Sequence, residues 1–108
     1  MKKIALFCNA GMSTSMLVKK MRASAQEKGI EIEIEAYPAS EMDQRTDGID
    51  AALLGPQVKF MLNGAKKICD PKGIPVDVIN SMDYGMVNGG KVLEAALAMI
   101  QAEGGGKK

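Results

Sequence analysis

Histidine and tryptophan are both missing from this 108-residue chain, and aromatic residues make up 4% of it. Without histidine there is no Ser–His or Cys–His nucleophile pair, and the commonest ligand of transition metals is gone. So few aromatics also argue against a base-stacking platform. Two cysteines, Cys8 and Cys69, are present. Their spacing fits neither a zinc site nor a C-x-x-C redox motif, and two are too few for a disulfide framework, which points to a reducing compartment. A charge excess is lacking as well. Lys plus Arg total 14 against 13 for Asp plus Glu, far from the basic stripe of a nucleic-acid binder. Met1-Lys2-Lys3 ahead of Ile4 to Cys8 imitates a signal peptide. That apolar run falls short of the roughly 7–15 residues of a signal core and the about 20 of a membrane span. The expectation is a soluble cytoplasmic protein with no metal site and no cofactor.

What is present suits one domain, expected over residues 1–103, with a flexible Gly/Lys tail at 104–108. Four short apolar runs alternate with helical patterns. Ile4 to Cys8 and Ala51 to Gly55 carry no charge and read as strands buried on both faces. Ile30 to Tyr37 alternates, with Ile30, Ile32, Ile34 and Ala36 on one face and Glu31, Glu33 and Glu35 on the other. Pro75 to Ile79 holds one charge. Helices are expected over Ser13 to Lys28 with Gly29 as stop, from Pro56 to Asp70-Pro71, and after an Asn88 cap. A short helix or turn is expected between Pro38 and Gly48.

Strand and helix alternating in this way predict an α/β fold, a parallel sheet with right-handed crossovers and helices on both faces. The charge-free first and third strands belong in the centre, which gives a four-stranded sheet of order 2-1-3-4. Its switch point lies between strands one and three, where ligands bind beyond the carboxyl ends. Those ends are Cys8 and Gly55.

No charged side chain occurs from Ile4 through Val18. An anion held there must therefore rely on backbone amides at a helix start and on hydroxyls. Asn9, Ala10, Gly11, Met12, Ser13, Thr14 and Ser15 form the expected phosphate-binding loop. Gly11 permits a cradling turn. Cys8 at the mouth of that loop is expected to be the covalent nucleophile, with its thiol pKa lowered by the helix field; the competing possibility is a small buried hydrophobe. Cys69, ending a helix, reads as core filling. Three positions are secondary candidates. Gln57 either donates to phosphoryl oxygens or is solvated. Asp83 either serves as a general acid or caps a turn. Tyr84 either covers the loop or packs. Met12 with Met82 or Met86 is read as an adaptable apolar docking patch. Lys19, Lys20, Lys66 and Lys67 are read as solvated helix faces.

The run Ile4-Ala5-Leu6-Phe7-Cys8-Asn9-Ala10-Gly11-Met12-Ser13-Thr14-Ser15 resembles the active-site segment of enzyme IIB of the bacterial sugar phosphotransferase system, in its lactose/cellobiose/diacetylchitobiose family. The resemblance continues through Leu53 to Val58, Gly73 to Val76 and Asp83 to Met86, and covers residues 1 to about 102. It implies a cytoplasmic phosphocarrier. Cys8 would accept a phosphoryl group from a phosphohistidine of enzyme IIA and pass it to a disaccharide bound by the membrane enzyme IIC. The fold and loop also resemble low-molecular-weight tyrosine phosphatases, whose signature is Cys, five intervening residues, then Arg and Ser/Thr. Thr14 and Ser15 stand there. The missing guanidinium counts against the alternatives, a cysteine-dependent phosphatase or an arsenate-reductase-like enzyme. A receiver-like interaction module would need an Asp at the end of the third strand, where Gly55 stands.

Overall fold

Alternation along the two uncharged strands decides which side of the sheet each residue enters. In the computed structural model, which describes residues 2–9 and 12–106, β1 spans Lys2–Cys8 and β3 Ala51–Leu54. Ile4, Leu6, Cys8, Ala51 and Leu53 point into one apolar cluster. Ala5, Phe7, Ala52 and Leu54 point into another on the opposite face. Both strands are therefore central, flanked by β2 (Ile32–Pro38) and β4 (Val76–Val78) in the order β2-β1-β3-β4. Every pairing is parallel, with Cys8 opposite Pro38 and Phe7 opposite Leu54. The carboxyl ends of β1 and β3 thus lie side by side, as expected of a 2-1-3-4 sheet.

Helices cover both faces. α1 (Met12–Glu27) and α5 (Gly89–Gly106) place Leu17, Val18, Met21, Ala25, Val92, Leu93 and Ala96 over the first cluster. Their close approach is set at Gly89, where a Cβ would stand 2.5 Å from the backbone of Lys20 and Met21. α2 (Met42–Arg45) and α3 (Leu62–Cys69) cover the second cluster with Met42, Ala65 and Cys69. Gly29 ends α1 with φ +69, the left-handed stop that favours glycine. The β2 edge is closed by Arg22, whose guanidinium donates to the Ile34 carbonyl at 2.6 and 3.0 Å and pairs with Glu35 at 3.2 Å. That contact removes an edge acceptor that another strand would otherwise take.

Three details differ from the sequence expectations. The Pro56 helix is two pieces, a 3-10 segment over Pro56–Met61 and then α3, with Val58 non-helical at φ −118, ψ 25. Val58 is 2% exposed; turning it into the core breaks the helix. A fourth short helix, α4 (Ser81–Gly85), follows β4. Its cap is Asn80, which accepts from the Met82 and Asp83 amides at 2.9 and 3.2 Å. The capping role considered for Asp83 is thus filled three residues earlier. Helical backbone also runs through Gly106, past the 104 boundary expected for the tail; Lys107 and Lys108 lie outside the described residues.

Candidate active site around Cys8

β1 delivers Cys8 to the end of the sheet, where its side chain is 2% exposed and Asn9 beyond it is open to solvent. Ala10 and Gly11, both assigned to the loop, lie outside the described residues, as do the side chains of Met12 and Ser13. Thr14, in the first turn of α1, is buried, and Ser15 is exposed. A cleft of about 210 Å³ is lined by Cys8, Asn9, Thr14, Ser15, Ala36, Tyr37 and Pro38. Larger hollows exist beside α3 and between α1 and α5, but neither is lined by a cysteine. Chemistry, not volume, marks the smaller cleft.

β3 contributes through the residue that follows it. At Gly55 a Cβ would lie 2.8 Å from Cys8 Sγ and 2.6 Å from Gln57 Oε1, so any other residue would press on the sulfur. Gln57 and Tyr84 both reach the site: Gln57 Nε2 donates to the Tyr84 hydroxyl at 3.2 Å, and that hydroxyl shares a 2.7 Å hydrogen bond with Thr14 Oγ1. Asp83 does not join them. It lines a separate small cavity with Leu53, Asp77, Val92 and Met99. A general-acid role for Asp83 therefore has no geometry behind it. Among the described residues, no group of three or more His, Cys, Asp or Glu is placed to hold a metal ion.

The thiol differs from expectation in its protonation. Burial pushes the Cys8 pKa up, against the pull of hydrogen bonds from Thr14, the Gly55 backbone and Tyr84. The helix-start field was expected to lower it. Desolvation wins because the sulfur is buried beside Gly55, Thr14 and Tyr84 and no cation among the described residues offsets it. Cys69 is fully buried and its thiol is pushed up by the same desolvation, in keeping with core filling.

Two features escaped the sequence. Phe60 is 80% exposed, three residues beyond Gln57 on the 3-10 segment, and Met16 is 51% exposed, two beyond Thr14. Met82 and Met86, at 70% and 71%, are the other large apolar side chains left exposed among the described residues. Met12, paired with them in the sequence reading, has no described side chain.

Comparison with known proteins gives this arrangement its class. The sequence pattern of the family described as PTS system, Lactose/Cellobiose specific IIB subunit matches residues 3–95. A galactose-specific EIIB component of the phosphotransferase system from Lactococcus lactis subsp. cremoris is 48% identical over 100 residues, spanning 88% of this chain and 93% of that one. A cellobiose-specific EIIB component from Lactococcus lactis subsp. lactis is 47% identical, with the same coverage. The solution structure of the cellobiose-specific phosphotransferase IIB component from Borrelia burgdorferi superimposes with TM-score 0.79 at 41% identity, covering 94% of each chain. The chain belongs to the lactose/cellobiose IIB family and is a sugar-specific component of the phosphotransferase system. No helix among the described residues is long and apolar enough to cross a membrane.

Proposed function

We propose that this chain is a cytoplasmic phosphocarrier with Cys8 as its covalent site. The observation that carries this is a cysteine at the end of the central strand, held in an uncharged cleft and faced by hydroxyl and amide donors. Asn9 through Ser15 are the loop we assign to the phosphoryl group, with Gln57 and Tyr84 as secondary contacts. The donor is a phosphohistidine of enzyme IIA. Cys8 sulfur, as thiolate, attacks phosphorus; the S–P bond forms as the N–P bond breaks, and the imidazole retains the electron pair and takes a proton. In the second half, a hydroxyl of the sugar held by the membrane enzyme IIC attacks. The O–P bond then forms, the S–P bond breaks and thiolate is regenerated, while the hydroxyl proton leaves to a base on the acceptor side.

A carrier must release its phosphoryl group to a partner faster than to water. A phosphatase of this architecture relies on a loop guanidinium to stabilise the developing charge; Thr14 stands at that position here, and Asp83 lines a separate cavity. Both features favour transfer over hydrolysis. Met16 and Met82, two residues from Thr14 and Tyr84 in the chain, are exposed and offer an apolar surface for the partners. Relatives specific for galactose and for cellobiose are almost equally similar, so we assign the acceptor as a β-linked disaccharide or its galactose-containing counterpart, chosen by the permease.

The test is incubation with phosphoenolpyruvate and the general phosphotransferase proteins, with and without a cognate enzyme IIA. Intact mass should rise by one phosphoryl group only with enzyme IIA, and Cys8→Ser should gain none. Release of phosphate from an aryl phosphate, without uptake, would replace the carrier with the phosphatase.

A further inference from the structure

A nucleophilic sulfur often has a cation beside it, and among the described residues none lines its cleft. The cleft is lined by uncharged residues of β1, α1 and β2, Tyr37 among them, and Gly55, Gln57 and Tyr84 stand beside it; Tyr37 and Tyr84 are the titratable groups among these residues besides Cys8. In place of charge there is a chain of hydrogen bonds drawn from three elements. Gln57 Nε2 donates to the Tyr84 hydroxyl at 3.2 Å, and Tyr84 and Thr14 share one at 2.7 Å. Thr14 lines the same cleft as Cys8, and Tyr84 packs against the cluster that holds it, so the two hydroxyls border the sulfur and pull against the burial that raises its pKa.

Counting protons gives this chain a direction. An amide nitrogen donates and does not accept, so Tyr84 takes the Gln57 bond on a lone pair and keeps its own proton. Tyr84 and Thr14 then hold two hydroxyl protons between them. One closes the bond that they share; the other is left for the sulfur. We propose that the Gln57–Tyr84–Thr14 relay delivers a hydroxyl proton to Cys8 Sγ and stabilises negative charge there in place of a cation. The demand arises twice in the transfer proposed above, when thiolate attacks and when it leaves. Gln57 is a positioning residue, since it acts through the hydroxyls. The relay deepens the phosphocarrier reading, but its test needs no phosphoryl donor.

That test is the pH dependence of Cys8 alkylation by iodoacetamide, followed by peptide mass so that Cys69 is scored separately. Gln57→Glu is decisive because a carboxylate accepts. It would take the Tyr84 proton, Tyr84 would accept from Thr14, and no hydroxyl proton would remain for the sulfur. The expected result is an upward shift of the alkylation midpoint and a rate at neutral pH lower by about tenfold, the scale of one hydrogen bond to a charged atom. Gln57→Ala leaves the proton count unchanged and should slow alkylation by no more than about twofold. Glutamate also brings its own charge, so the same substitution is measured in Tyr84→Phe, where the link is cut; there its effect should shrink to about twofold, a coupling that independent sites would not show. Equal effects of Gln57→Glu in the two backgrounds, or equal effects of Gln57→Ala and Gln57→Glu, overturn the relay. Failure of Cys8 to take up a phosphoryl group overturns the carrier function instead, and leaves the alkylation result to stand or fall by itself.

Discussion

At Gly55 one missing carbon leaves room for the sulfur of Cys8. Glycine is needed there for space and not for backbone freedom, since φ is −64 and ψ 151, open to any residue. In Gly55→Ala the new methyl meets Cys8 Sγ and Gln57 Oε1 inside 3 Å. Gln57 is exposed and swings away, so the stability cost stays near 1–2 kcal/mol, the lower part of the range for an added methylene. The site loses more. Cys8 is turned or covered and the Gln57–Tyr84 bond is broken, so phosphoryl uptake from enzyme IIA should slow by about tenfold or more. Uptake timed by intact mass, beside a urea melt of the same variant, separates the two effects. Loss of uptake in proportion to unfolding would make Gly55 a folding residue only.

The elements differ in how much room they leave each other, and two glycines on helices make the contrast measurable. Gly89 opens α5 where that helix meets α1, and its missing Cβ would collide with backbone atoms of Lys20 and Met21 at 2.5 Å. Backbone cannot step aside as a side chain can. Gly89→Ala must push α1 and α5 apart across the cluster that holds Leu17, Met21 and Leu93, and should cost about 2–3 kcal/mol. Gly64 lies within α3 with nothing inside 4 Å of its absent Cβ. There alanine lowers the entropy of the unfolded chain without a clash, and Gly64→Ala should add about 0.5–1 kcal/mol. Urea midpoints moving in opposite directions are the expected result; a common direction would refute the packing assigned to the α1–α5 contact. Val87 is a second local constraint, a β-branched residue at φ +53 between α4 and α5. That conformation is costly for a β-branched side chain and is held here by packing of Val87 against the α1–α5 cluster.

Across the whole molecule, much of the architecture was legible because burial on both faces of a strand excludes charge. Ile4 to Cys8 and Ala51 to Leu54 therefore announced the centre of the sheet, and the glutamates of β2 its edge. α4 was not legible. Its five residues are too few to show a helical period, and Asn80 is a cap only once Ile79 has ended the strand. The break at Val58 was hidden for a similar reason, since a single inward turn leaves no pattern. Cys8 stood out by its place in the chain, whereas the Thr14–Tyr84 bond joins residues 70 positions apart that no local motif connects. The direction of the thiol shift was missed because the sequence displays the missing charges but not the enclosure of the sulfur.

That enclosure has a consequence for the stability of the entire fold. Cys8 and Cys69 sit in the two clusters on opposite faces of the sheet, and desolvation raises both thiols above their ordinary value, roughly 8.5 in an unfolded chain. A raised pKa means that the folded state holds its protons longer than the unfolded state does. Below about pH 8 both states are protonated and the thiols leave stability independent of pH. As pH climbs past the unfolded value, the unfolded chain releases protons that the native state still binds, and stability falls. Each thiol contributes a slope of up to about 1.4 kcal/mol per pH unit, which ends once pH exceeds its folded pKa. Unfolding free energies from urea titrations between neutral pH and pH 10 should therefore decline in the parent, less in Cys69→Ala, and least in the Cys8→Ala/Cys69→Ala double variant. Subtracting the double variant removes what lysines and tyrosines contribute in the same range. A parent slope no steeper than that of the double variant would mean that the sulfurs are solvated in the folded protein, and the closed cleft described around Cys8 would have to open.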